Sequence, residues 1–189
     1  MEATMIGKKN IVFGFIYLVF TAALGPYMIQ NLFPDMSDAL QVKQRDVGAL
    51  QQIVESDFEN PETMEPMTSD QLAKANTKGI LALNLINNVQ APIDSMKGGP
   101  HAHGNLEAVL NIIAGICLCF LAAPALFKQI ISWLFIAGAL LHSGMLYLRM
   151  FDIGFASTLL NFGPFVLLLG IVCMGVSAAI WLKPEVVKD

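Results

Sequence analysis

The residues with the clearest capacity for chemistry lie in one short stretch, GGPHAHGNLEAVLN, between Gly98 and Asn111. Within it, His103, Glu107 and Asn111 are spaced four residues apart, which places their side chains along one face of a helix. An ionisable side chain inside a bilayer costs several kcal/mol unless it is paired, so each one is a functional hypothesis. The stripe is therefore a candidate functional site.

Two further polar residues, His142 and Asn161, are expected to join this stripe. If the second and third apolar segments form an antiparallel hairpin that turns at Lys128, His142 lies about 20 Å from the turn, at the level of Asn111 to Gly115. The same count from an outer turn near Asp152 brings Asn161 close to His142. The expected result is a cavity in the outer half of the membrane, lined by His142, Asn111 and Asn161, with Glu107 and His103 at its mouth.

The composition is that of a membrane protein. Of the 189 residues, 55% are hydrophobic and 14% are charged, and the mean hydropathy is +0.59. A bilayer core about 30 Å thick needs roughly 20 helical residues, and four apolar blocks reach this length without the alternation of barrel strands. The predicted fold is all-α, a single membrane domain over residues 1–189 that forms a four-transmembrane-helix bundle, with spans at about 11–33, 106–127, 130–151 and 155–182.

The lysines predict the orientation in the membrane. They flank the start of the first span, the turn between the second and third, and the end of the fourth, namely Lys8, Lys9, Lys128, Lys183 and Lys188. Residues 34–97 carry ten acidic and five basic side chains and belong on the opposite side. We therefore expect a multi-pass protein of the inner (plasma) membrane with both termini in the cytoplasm and residues 34–99 in the periplasm.

The outer segment is predicted to be partly helical. The stretches 37–55 and 69–90 have helical character, and Ser69 is expected to cap the second of them. Between them, ESDFENPETMEPMTSD contains acids and prolines without a helical period and is expected to be an exposed loop. Because the second stretch is too short and too polar to span, we expect it to lie on the outer membrane surface or to cover the bundle.

Straight helices would keep two of the histidines apart. On this count His142 lies roughly 17 Å deeper than His103, too far for both imidazoles to bind one planar cofactor. His142 would then form hydrogen bonds within the cavity.

The sequence HAHGNL, at the outer start of a predicted membrane helix, resembles the HAHxNL pattern of small membrane proteins related to subunit I of heme-copper oxidases. In that superfamily a histidine at the outer end of the second helix binds heme iron. The resemblance implies heme b in this protein. Because His142 lies roughly 17 Å deeper than His103 on straight helices, His101 or His103 would be the axial ligand, with a group from another chain or a substrate on the second face. Glu107 would orient the His103 imidazole. It also implies a role in electron transfer or within a membrane redox complex.

The arrangement of four spans, a long outer segment and the sequences Ala-His and AVLN is similar to that of the styrene oxide isomerase family. These small membrane enzymes use heme b to rearrange epoxides. The resemblance implies that His103 ligates the heme and that Asn111 positions the epoxide. The spacing from histidine to asparagine is longer here than in that family.

Three functions remain open from the sequence. The protein is a heme-b electron carrier or redox-complex subunit, a heme-dependent isomerase of small apolar epoxide-like substrates, or a cofactor-free accessory subunit. In the last case the polar side chains only form hydrogen bonds between helices, each worth about 0.6 to 2 kcal/mol. The expected partners are the lipid bilayer and either a homo-oligomer or a larger redox complex. Nucleic acid is not an expected partner, because the chain has no basic patch of the required kind.

Overall fold

The computed structural model describes residues 5–60 and 63–187, and these residues are helical almost throughout. Four helical segments in these ranges are long and apolar enough to cross a membrane, and each joins two of the helices named below. They are Gly7–Asn31, Ser69–Cys119, Ala125–Arg149 and Gly154–Trp181. The prediction of an all-α fold is therefore confirmed, and so is the presence of four helical segments that are long and apolar enough to cross a membrane.

The helices follow one another with short breaks, except for residues 56–68 between α3 and α4. In chain order they are α1 Gly7–Ala22, α2 Leu24–Asn31, α3 Phe33–Glu55, α4 Ser69–Met96, α5 Ala102–Cys119, α6 Ala125–Ala139, α7 Met145–Arg149, α8 Gly154–Leu160 and α9 Gly163–Trp181. A kinked segment, Lys97–His101, connects α4 to α5, and a π-helical turn, Leu140–Gly144, connects α6 to α7. The chain divides into two compact units, one formed by Met1–Gly25 with Met96–Asp189 and the other by Pro26–Ser95.

In the first unit, α1 and α5 pack antiparallel through small residues repeated every seven positions on α1. Gly7 and Gly14 face the α5 backbone, and a Cβ atom on Gly14 would lie 2.6 Å from the carbonyl oxygen of Ala108. Thr21 continues the series and packs against Gly104. Small residues let membrane helices approach closely, which strengthens their van der Waals contact where lipid provides no hydrophobic force. This packing brings the polar side chains of α1 to the polar face of α5.

A second small-residue contact joins α9 to α6 and to the π-helical turn that follows it. Gly170 packs against α6, and Gly163 lies directly against the backbone of His142. The predicted span 155–182 is thus two helices, with a break between α8 and α9. Pro164 lies in the first turn of α9, where a missing backbone N–H leaves no intrahelical hydrogen bond unmade. The start of α9 is therefore fixed beside His142.

The turn between α5 and α6 comes earlier in the chain than the sequence predicts. α5 ends at Cys119 and α6 begins at Ala125, so Lys128 lies in the first turn of α6. Pro124 precedes α6 with a ψ of 138°, outside the helical region. Proline removes a helical hydrogen bond and disfavours a helical conformation in the residue before it, so α5 cannot continue through this position. The register of the α5–α6 hairpin shifts accordingly.

The apolar core lies near this turn, where α5, α6 and α9 meet. Leu118, Leu121 and Ile131 are completely buried there and pack with Phe135. Most of the remaining surface of the spanning helices consists of exposed apolar side chains, as contact with lipid requires. Few polar side chains of this unit are buried, and their positions indicate where a functional site lies.

Two irregular turns contain two of the three histidines. In the segment Lys97–His101, Gly99 has φ −88° and ψ −111°, which is not helical, so the chain is kinked there before Pro100. The π-helical turn Leu140–Gly144 contains His142. Single π-helical turns within α-helices are frequent at functional sites.

In the second unit, α4 begins with a capping box. The Thr68 hydroxyl accepts a hydrogen bond from the Gln71 backbone N–H at 3.3 Å, and the Gln71 side-chain oxygen accepts one from the Thr68 N–H at 2.8 Å. The helix cap is therefore Thr68, one residue before the predicted Ser69. α4 also continues to Met96, beyond the predicted end of this helical stretch.

Candidate metal centre

Glu107 is the central residue of the candidate site. Its side chain lies in α5 and the residue is only 2% exposed. The Nδ1 atom of His142 lies 2.5 Å from Oε1 of this carboxylate. Ser143 donates to Oε2 from its backbone N–H, at 3.3 Å, and from its hydroxyl. A carboxylate this deeply buried requires such partners, and the π-helical turn after α6 supplies all of them.

The imidazole of His103 lies against that of His142. Their ring centroids are 4.8 Å apart, and the ring planes are tilted by 58°. The separation of roughly 17 Å that straight helices predict is therefore wrong. Because the α5–α6 turn follows Cys119 directly instead of lying at Lys128, His142 reaches the level of His103.

The three side chains together form a candidate metal site. One donor atom from each of His103, Glu107 and His142 lies within 4.8 Å of the other two. An ion with ligand bonds of about 2.0 Å in tetrahedral geometry holds its donors about 3.3 Å apart, so modest side-chain rotations would close the group around it. Two imidazoles bound at such an ion at 90 to 110° have ring centroids roughly 4.5 to 5.2 Å apart, which includes the observed spacing.

A cavity of about 410 Å³ adjoins the two imidazoles. Gly98 and Gly99 line one part of it without side chains, and Asn161, from the break before α9, contributes an amide. The other lining residues are apolar, namely Leu146, Leu160, Pro164 and Phe165. Asn161 thus lines the same cavity as His142, as the hairpin count predicts. A metal ion at the site would face a space that accepts a small molecule.

Tyr17 supports the site from α1. Its hydroxyl lies 2.8 Å from the Ser143 hydroxyl and 3.4 Å from the carbonyl oxygen of Ala139. Because the Ser143 hydroxyl donates to Glu107, the phenol of Tyr17 donates to Ser143 and extends the hydrogen-bonded chain from the carboxylate to α1. The orientation of Glu107 therefore depends on Tyr17, which is linked to the carboxylate through two successive hydrogen bonds.

Asn111 belongs to a separate buried network. Its side-chain nitrogen donates to the carbonyl oxygens of Glu107, at 3.0 Å, and Phe135, at 3.1 Å. Its oxygen accepts from the side-chain nitrogen of Asn10 at 3.1 Å, and that nitrogen also donates to the carbonyl oxygen of Ser132 at 3.0 Å. The network joins α1, α5 and α6. Asn111 is not among the residues that line the cavity of about 410 Å³ beside the imidazoles.

His101 also has a different set of partners. Its Nδ1 atom lies 2.9 Å from the carbonyl oxygen of Thr21 and 3.5 Å from the side-chain nitrogen of Asn105. The Thr21 hydroxyl donates to the Asn105 oxygen at 2.8 Å. Of the three histidines, the structure therefore brings together His103 and His142, whereas His101 contacts α1.

Three participants were not identified as site residues from the sequence. Ser143 and Tyr17 hold Glu107, and Asn10 completes the network around Asn111. A signal for the two α1 residues was present, because Tyr17 and Asn10 lie between the small residues of the seven-residue repeat and so share a face with the helix contact. For Ser143, the only signal in the sequence was its position next to His142.

The geometry restricts how heme b could bind. Imidazoles on opposite faces of one heme iron, with bonds of about 2 Å, have ring centroids about 6 Å apart with the macrocycle between them. The observed 4.8 Å spacing does not fit His103 and His142 as such a pair. A heme would have to be held by His103 alone, on the side of the cavity.

Comparisons of the chain with protein-family models, with curated proteins and with solved structures find no match.

Proposed function

We propose that this protein binds a divalent first-row transition metal ion within the membrane through His103, Glu107 and His142. The observation that carries the proposal is the convergence of these three side chains from two helices, with donor atoms within 4.8 Å of one another. Two imidazoles and a carboxylate are the donor set of many zinc sites and of non-heme Fe²⁺ sites.

The charge of Glu107 supports a bound cation. A carboxylate inside a bilayer is costly unless a positive charge balances it. Within the part of the chain that the structure describes, the only ion-pair partner of Glu107 is His142. A metal ion would balance the carboxylate and would leave both imidazoles neutral, which is the form that coordinates metals. Ser143 would continue to hold the oxygen of Glu107 that does not face the ion.

The activity that fits this arrangement is metal-dependent conversion of a small, mostly apolar molecule. Three protein ligands leave a coordination position open, which is the pattern of catalytic rather than structural metal sites. The cavity beside the imidazoles supplies the space, its apolar walls would take the body of the molecule, and the Asn161 amide would hold a polar group. A metal ion supplies Lewis-acid polarisation of that group.

Metal analysis of the purified protein tests the proposal. The detergent-solubilised protein should contain an equimolar amount of zinc or iron after dialysis, measured by inductively coupled plasma mass spectrometry. His103→Ala and His142→Ala should each lose most of this metal, because each removes a ligand. His101→Ala is the matched control and should keep the metal of the parent, because its ring contacts Thr21 instead.

Two results would contradict this assignment. One is a parent protein that binds neither zinc nor iron when either is supplied in excess. The other is equal metal loss in His101→Ala and His103→Ala with helicity unchanged by circular dichroism, since that would separate metal binding from the cluster.

Heme b held by His103 alone is the second candidate, and it follows from the resemblance of HAHGNL to heme-binding membrane proteins. One observation favours it: His103 is the exposed member of the cluster and lines a cavity with mostly apolar walls. A Soret band in the purified protein would identify it, and co-purification with oxidoreductase subunits would assign it to a redox complex. A preparation with neither heme nor metal would leave the cofactor-free accessory subunit.

We also propose that the lysine-rich end of the bundle faces the cytoplasm. Lys8 and Lys9 lie at the start of α1, next to the end of α5, and Lys183 donates its backbone N–H to the carbonyl of Phe120 at the same end. Excess lysine marks the cytoplasmic side of plasma-membrane proteins. Labelling of cysteines introduced at Lys8 and at Lys74 from outside intact cells should modify Lys74→Cys alone.

A further inference from the structure

The lysine-rich end of the bundle carries a second candidate binding site, separate from the metal centre. A groove of about 530 Å³ runs beside the first turns of α1 and reaches Gln129 of α6. Lys8 and Lys9 line it together with the apolar side chains of Val12 and Phe13. We propose that this groove binds an anionic phospholipid of the surrounding bilayer, with the phosphate at the two lysines and an acyl chain along the apolar side chains.

The position of Lys9 favours an anion at this place. Its ammonium group donates a hydrogen bond to the side-chain oxygen of Gln129 and lies 4.4 Å from the ring centroid of Trp133. These contacts hold the charge between α1 and α6, so less side-chain entropy is lost when an anion binds. The neighbouring Lys8 is exposed and adds a second positive charge.

The apolar part of the groove identifies the anion as a lipid. Val12 follows Lys8 by one helical turn, and Phe13 follows Lys9 by one turn, so each lysine stands above an apolar side chain on α1. A free phosphate ion would use only the lysines. A phospholipid would also cover the apolar side chains, which extend from the charged end into the span. Basic pockets between membrane helices on the cytoplasmic side bind the head groups of anionic lipids by this combination.

Native mass spectrometry of protein released from nanodiscs tests the proposal independently of metal binding. The nanodiscs contain equal amounts of phosphatidylglycerol and phosphatidylcholine with identical acyl chains. The parent should retain phosphatidylglycerol in preference to phosphatidylcholine. In the double variant Lys8→Gln/Lys9→Gln, the ratio of retained phosphatidylglycerol to phosphatidylcholine should fall roughly 25-fold. Each lysine near a membrane surface contributes about fivefold to the binding of an anionic lipid.

Two further variants make the result specific to this groove. Lys74→Gln/Lys78→Gln removes the same charge from α4 and should keep the preference of the parent. Lys8→Arg/Lys9→Arg keeps the charge and should also retain it. Equal retention of both lipids by the parent would overturn the proposal, as would equal losses in the two glutamine double variants with helicity unchanged.

Discussion

Nδ1 of His142 lies 2.5 Å from Oε1 of Glu107, and the second oxygen of that carboxylate accepts two hydrogen bonds from Ser143. α5 and the π-helical turn after α6 are therefore joined at one buried carboxylate. A ligand whose orientation is fixed by its neighbours before the ion arrives gains affinity, because less reorganisation accompanies binding.

Glu107→Gln should lower the affinity for zinc by at least about tenfold, since loss of outer-shell partners alone reaches that value and this change removes a charged ligand. The amide has the same size, and its oxygen can still accept from Ser143, so the helices should remain folded. Competition with a chromophoric chelator measures the affinity. Glu185→Gln removes an acid from the other end of the bundle and serves as control, and equal affinities in both variants would contradict the role of Glu107.

Tyr17→Phe should weaken metal binding by about tenfold, the lower end of the range for outer-shell groups. The change removes only the hydroxyl that donates to Ser143, so Glu107 loses support without losing a direct contact. Tyr147→Phe is a closely matched control, because the Tyr147 hydroxyl is not among the groups that link Tyr17 to Glu107 by hydrogen bonds. The same chelator competition applies, and identical affinities in the two variants would show that Tyr17 does not position the carboxylate.

The sequence predicts much of the fold because its signals are local. Apolar length alone identifies four spans, and the four-residue spacing places His103 and Glu107 on one face of α5. Ser69 also predicts the start of a helix, although the cap is Thr68, one residue earlier. These predictions depend on neighbouring residues within one helix.

The predictions that fail depend on how the helices meet. A shift of the α5–α6 turn by a few residues changes the distance between His103 and His142 from roughly 17 Å to a direct contact. Pro124 was the available signal for that shift, because a helix rarely continues through a proline. Tyr17 reaches Ser143 only through the packing of α1 on α5, and that contact cannot be derived from the composition of either helix.

Asn111→Ala should lower the free energy of unfolding by about 1 to 3 kcal/mol, because it removes hydrogen bonds between α1, α5 and α6 that are each worth about 0.6 to 2 kcal/mol. The metal content of the variant should equal that of the parent, since Asn111 contacts Glu107 only at its backbone carbonyl oxygen and is not among the residues that line the cavity. Thermal unfolding in detergent measures the change. Asn88→Ala is the control, because Asn88 is exposed. Unchanged stability combined with lost activity on an epoxide would instead favour the substrate-positioning role that the isomerase resemblance implies.

Gly14→Ala should destabilise the bundle by about 1 to 3 kcal/mol, the usual cost of extra volume in a packed interface. The new Cβ atom would lie 2.6 Å from both the Ala108 carbonyl oxygen and a side-chain carbon of Ile112, so α1 must move away from α5. Gly175→Ala is the matched control, because a Cβ there has no atom within 4 Å. Thermal unfolding in detergent should separate the two variants, and equal midpoints would show that α1 and α5 do not pack through this glycine. Because Tyr17 moves with α1, the metal affinity of Gly14→Ala should fall as well, and an unchanged affinity would mean that the carboxylate keeps its orientation without α1.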